Sequence, residues 1–105
     1  MNDKELADKV VALGVGKFLP AKLGKIHLRS EDGYSIGFLD SSVSEFVRDW
    51  RVAGALMEKV DSCYPEKLID ERWQVQASMN AMPTEWLVNK SLPRAIIEAC
   101  CEALE

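Results

Sequence analysis

The chain has 105 residues, 48% of them hydrophobic and 29% charged, with a net charge of −4. This is the composition of one globular domain, residues 1–105, long enough to bury a core without disulfides or metal. An acidic whole is poorly suited to coating nucleic acid, and no apolar run is long enough to span a bilayer.

Met1-Asn2-Asp3-Lys4-Glu5 lacks the basic-then-apolar order of a secretory signal. Cys63, Cys100 and Cys101 are an odd set without C-x-x-C spacing, so no disulfide framework is expected. Both features point to a cytoplasmic protein. In chain order, Asn2 and Glu5 form a capping box, and Leu6, Val10 and Leu13 recur at helical spacing until Gly14 and Gly16. A first helix is predicted there. Residues 17–24, with Pro20 and Gly24, read as irregular. Lys25 to Arg29 alternates polar and apolar, Ser30-Glu31-Asp32-Gly33 has turn chemistry, and Tyr34 to Phe38 alternates again. These predict a β-hairpin.

Ser42-Val43-Ser44-Glu45 is a second capping box. Val43, Phe46, Val47, Trp50, Ala53, Leu56, Met57 and Val60 then form an apolar stripe. The stripe predicts one helix over 43–60, about 27 Å long, at the centre of the core with Phe46, Trp50, Ala53 and Met57 buried. Pro65 closes that region. Trp73, Val75, Ala77 and Met79 alternate with Arg72, Gln74, Gln76 and Ser78, which predicts a half-buried strand with Trp73 on its core face. Residues 80–90 read as a loop carrying Pro83 and Trp86. Ser91 caps a last helix with Pro93 in its first turn, where amide donors lack partners anyway. The predicted order is helix, strand, strand, helix, strand, helix: an α+β fold with a three-stranded sheet covered by helices. The path through the long helix admits a crossover, right-handed if its flanking strands are parallel.

Phe46-Val47-Arg48-Asp49-Trp50-Arg51-Val52-Ala53-Gly54-Ala55-Leu56-Met57-Glu58-Lys59 resembles the central helix of the phage ABA-sandwich domain family. Trp73-Gln74-Val75 resembles that family's next strand, and Ser91 to Cys100 its closing Ala-Ile and Ala-Cys helix. The NinX-like accessory proteins of lambdoid phages share a similar layout. The resemblance covers residues 1–13 and 38–104 and rests on packing motifs. It implies a phage or prophage origin and a small α-β-α sandwich, and it supplies no catalytic mechanism.

The candidate chemistry is sparse. His27 is the only histidine, so any Ser-His or Cys-His pair must use it, and its simplest reading is an exposed strand residue. Cys63, Cys100, Cys101 and His27 make up a zinc-type set by count. Adjacent helical residues point about 100° apart, however, so Cys100 and Cys101 do not readily face one ion. Gly14-Val15-Gly16-Lys17 lacks the phosphate-loop spacing. Glu45 reads as a helix cap. No cofactor, metal or catalytic residue is assigned, and the protein is not expected to be an enzyme.

One electrostatic asymmetry stands out. No acidic residue falls between Asp8 and Glu31, whereas Lys9, Lys17, Lys22, Lys25 and Arg29 do. Such a strip suits an acidic protein surface or phosphates, and equally a lysine-protected strand edge. Trp86, beside Pro83 and Leu87, suits a partner hot spot or a lid over the core. The expected interaction surface is therefore Lys17, Lys22, Lys25, His27, Arg29 and Trp86. The expected function is a non-enzymatic module binding a host or phage protein; the alternative is a nucleic-acid-associated protein using residues 17–29.

Overall fold

The computed structural model describes residues 1–22, 25–29 and 40–105, with side chains described for 1–16 and 42–105. Helix α1 (Asp3–Ala12) starts as its capping box requires. The Glu5 amide donates to the Asn2 side chain at 2.8 Å, which donates back to the Glu5 carboxylate at 2.9 Å. Gly14 and Gly16 end it at φ 87° and 85°, where a Cβ would be strained.

Residues 17–22 form a strand, contrary to the irregular segment expected. Strand β1 (Lys17–Lys22) pairs antiparallel with β2 (Lys25–Arg29), which pairs antiparallel with β3 (Asp40–Ser42). Pro20 is tolerated because β1 is at the sheet edge and its register shifts between Leu19 and Lys22. The hairpin partner of 25–29 is thus the preceding segment. The expected turn 30–33 and strand 34–38 lie outside the described residues.

The single helix expected over 43–60 is two helices, α2 (Val43–Phe46) and α3 (Trp50–Met57). Ser42 and Glu45 form the capping box of α2, with both bonds at 3.2 Å. Asp49 then leaves the helical region at φ −85°, ψ 128°, and its carboxylate accepts from the Arg51 amide at 2.8 Å. A side chain that can cap competes with helix continuation, and here it starts a new helix. The break redirects the apolar stripe. Phe46 and Ala53 are buried, but Trp50 is 58% exposed and Met57 is exposed as well.

A second, four-stranded sheet follows. Strand β5 (Trp73–Met79) pairs antiparallel with β4 (Ser62–Lys67) on one side, and on the other with β6 (Met82–Pro83) and β7 (Leu87–Asn89). Pro65 lies inside edge strand β4 rather than closing the helical region. The expected loop 80–90 therefore contains two short strands. Asn80 and Ala81, at φ 55° and 63°, make the two-residue turn into β6. The strands before and after α2 and α3 belong to different sheets, so there is no crossover between them.

Helix α4 (Leu92–Ala103) opens on Ser91, whose hydroxyl accepts from the Arg94 amide. It packs on β5, β7 and β4 and also touches α3 and α1; α1 touches α2, which packs on β2 and β3. The protein is thus a small α+β globule, radius of gyration 13.4 Å, in which a four-stranded antiparallel sheet packs against the C-terminal helix. Val75 and Ala77 meet buried Ala95, Ile96, Ile97 and Ala99 in one core. Trp73, expected in the core, is only half-buried, with the Lys67 ammonium 5.9 Å from its ring centre. No helix among the described residues is long and apolar enough to cross a membrane.

Candidate functional site

The β1–β2 pairing gathers most of the expected interaction surface. Its register sets Lys17 opposite Arg29, Leu19 opposite His27, and Lys22 opposite Lys25. Two like-charged pairs thus stand at cross-strand positions, an arrangement that is unfavourable without anionic company. Lys25, His27 and Arg29 alternate along β2 at about 6–7 Å per two-residue step. Their side chains lie outside the described residues.

Trp86 belongs to the other sheet. It falls in the edge run that continues β6 into β7 and is 42% exposed, near Met82 in sequence, which is 73% exposed. The run is bent by Thr84. Its amide donates to the Ala77 carbonyl at 2.8 Å, while its hydroxyl, in place of a backbone carbonyl, accepts from the Ala77 amide at 3.2 Å. The ladder is interrupted there, and Glu85 and Trp86 bulge outward.

A cleft of about 420 Å³ opens beside this run, between the β5–β6 turn and the end of α4. Met79, Met82, Thr84, Glu85, Glu102 and Glu105 contribute to its wall. Glu105 is ion-paired with Lys9. The Thr84 hydroxyl already donates to the Glu85 carbonyl at 2.8 Å. Among the described residues the cleft brings carboxylates together with the Thr84 hydroxyl and no histidine or cysteine.

Two polar clusters were not legible in the sequence. The first centres on Arg94, which is 6% exposed. It donates to the Asp3 carboxylate at 3.0 Å and to the Met1 carbonyl at 2.8 Å, and Glu98 lies 3.5 Å from its guanidinium. Arg48 donates to the other Asp3 oxygen at 3.0 Å. Burial opposes the Asp3 charge, but the hydrogen bonds and charges of Arg48 and Arg94 outweigh it and hold the carboxyl below its usual range. These contacts tie the start of α1 to the α2–α3 link and to α4.

The second cluster is a pair of thiols. Cys63 on β4 and Cys100 on α4 influence one another's thiols. The Cys100 thiol lowers Cys63 from its ordinary value, and Cys63 together with burial raises Cys100. Cys101 is pushed up to about 12, chiefly by burial, with Lys9, Glu105 and Glu98 as its charged neighbours. The adjacent thiols of Cys100 and Cys101 therefore lie in different surroundings, as their helical offset dictates. No group of three or more metal-ligating side chains gathers among the described residues.

Compared with family models, curated proteins and solved structures, the chain matches none of them.

Proposed function

We propose that the chain is a non-enzymatic binding module whose β1–β2 ribbon meets an acidic protein surface. The observation that carries this reading is the register of Lys17 against Arg29 and of Lys22 against Lys25 in an otherwise acidic protein. Concentrated like charge costs folding energy, and an anionic partner offsets that cost. Exposed Trp86 supplies the kind of aromatic anchor that such interfaces use, on the edge of the second sheet. The motif resemblance of residues 46–59 and 91–100 supports placing the protein among phage or prophage accessory proteins that act in the host cytoplasm. The α-β-α layering implied by the same resemblance belongs to this proposal too; it needs a second helical layer, on the sheet face that carries exposed Tyr64.

The test is affinity capture from infected host cells with mass spectrometry, comparing the natural chain with Lys22→Glu/Lys25→Glu/Arg29→Glu. The triple variant loses the captured partner while its circular dichroism and melting curve stay nearly unchanged, the opposite-charge pair that Arg29→Glu makes with Lys17 adding only a small gain in stability. Equal capture by both proteins would reject the ribbon as the binding surface. The same register also favours a phosphate track, so a nucleic-acid partner is the second reading. It predicts a DNA or RNA affinity that falls steeply as salt rises.

A further inference from the structure

Helix α3 buries one side and bares the other. Val52, Ala53 and Leu56 are fully buried, whereas Trp50, Gly54, Met57 and Glu58 are exposed. At about 100° per residue the bare side is one continuous strip. Gly54 lies on its midline, with Trp50 and Met57 to one side and half-buried Arg51 and exposed Glu58 to the other. A Cβ added at Gly54 would meet nothing within 4 Å among the described residues, so the chain itself has room for a side chain there. Gly54 also sits inside a regular helix, where glycine weakens the element relative to alanine. Nothing within the monomer requires this glycine. The close approach of another backbone does.

We propose that the exposed strip of α3 is a dimer interface, on which a second copy of this chain lays its own α3 antiparallel about a two-fold axis beside Gly54. That axis exchanges the ends of the helix and keeps its two sides. Trp50 then faces Met57 of the second copy, an aromatic–sulfur contact between two large exposed apolar groups. On the other side Arg51 faces Glu58 of the second copy, so opposite charges meet. Asp49 holds the Arg51 guanidinium at 3.0 and 2.5 Å, which orders it before association. The two Gly54 residues meet at the axis, where bare backbone lets the helices close to the short end of the roughly 8–10 Å range of helix separations. Each side-chain contact occurs twice and the pair is closed, as an isologous interface requires. A parallel pairing would instead set Met57 against the Glu58 carboxylate.

The area sets the strength. Helix α3 has eight residues and is about 12 Å long, so its strip falls well below the roughly 800 Å² per partner of a standard stable interface. Two copies of net charge −4 also repel. The dimer is therefore weak and reversible, and dilute protein is monomeric. No residue of the β1–β2 ribbon takes part.

Sedimentation equilibrium of the full chain, from micromolar to millimolar concentration, tests the proposal. The natural chain passes from monomer to dimer and goes no further. Gly54→Gln stays monomeric throughout, because its side chain stands on the axis, and in dilute solution it melts no lower than the natural chain. Trp50→Ala also stays monomeric. Glu58→Arg puts a cation at the end of α3, where the helix accepts one, and loses the dimer by facing Arg51. A natural chain that is monomeric at the highest concentration, or that assembles beyond a dimer, would overturn the proposal. So would a folded Gly54→Gln, Trp50→Ala or Glu58→Arg that dimerises like the natural chain. Should one variant fail to fold by circular dichroism, the natural chain and the other two still decide.

Discussion

The segments 43–57 and 92–103 open alike, on a serine cap followed by an apolar stripe, and end differently. Helix α4 runs unbroken and buries eight residues, Pro93, Arg94, Ala95, Ile96, Ile97, Ala99, Cys100 and Cys101. The earlier segment splits at Asp49, and α3 buries only Val52, Ala53 and Leu56. The Asp49 cap makes the split, and the difference in burial follows from the number of neighbours. Helix α4 has the four-stranded sheet on one side and α1 and α3 on another, so most of its circumference meets protein. Helix α3 packs chiefly on α4, which leaves Trp50 facing solvent. An apolar stripe therefore says which face of a helix seeks cover, not how much cover the fold supplies.

The sharpest test of this contrast pairs two large-to-small substitutions. Ile97→Ala, in the fully buried face of α4, should cost about 2–5 kcal/mol. Trp50→Ala should stay within about 1 kcal/mol despite removing a larger side chain. Denaturation midpoints measure both, and equal losses would erase the distinction.

Acid should act next, through the contacts that join α1 to the other helices. The Asp3 carboxyl is held below its ordinary value of 3.8, so its contribution is complete above that pH. It is lost as pH falls through the lower folded value, because the folded state must then take up a proton that disrupts the Arg48 and Arg94 bonds. Asp3→Asn should flatten the acid limb of a stability–pH curve followed by thermal melting. A limb of unchanged slope would show that Asp3 does not shape it.

Asp49→Ala should cost about 1 kcal/mol by removing the α3 cap. If stability rose instead, with a gain in helical circular dichroism, the cap would not be what splits the helix. The smallest effect is expected at the β5–β6 turn. Ala81→Gly relieves a left-handed residue at φ 63° and should stabilise by about 0.5 kcal/mol, the remainder being offset by glycine's unfolded-state entropy. A lowered melting temperature would count against strain at that position.

Local chemistry was read directly from residues. Asn2 with Glu5, Ser42 with Glu45, and Ser91 with Pro93 placed three helix starts, and Gly14 and Gly16 placed a stop. Strand β5 was legible because one of its faces is buried and the other is not, which imprints a period of two. Strand β1 was hidden behind Pro20, and β4 behind Pro65; both are edge strands, where proline is tolerated. Strands β6 and β7 are too short to show a period. The candidate site divides in the same way. Clustered basic residues between Asp8 and Glu31 were visible as composition, but only the β1–β2 register set them opposite one another.

What the sequence by itself determined is what neighbours a few residues apart decide: caps, stops, the class of each long element, and the acidic balance of the whole. Tertiary structure alone decided which apolar faces found cover, the division of the strands into two sheets, and the meeting of Asp3 with Arg94. Capping and periodicity act within one or two helical turns and leave their mark on adjacent letters. Packing joins residues dozens of positions apart, and its free energy depends on surface that exists only once the other elements are in place.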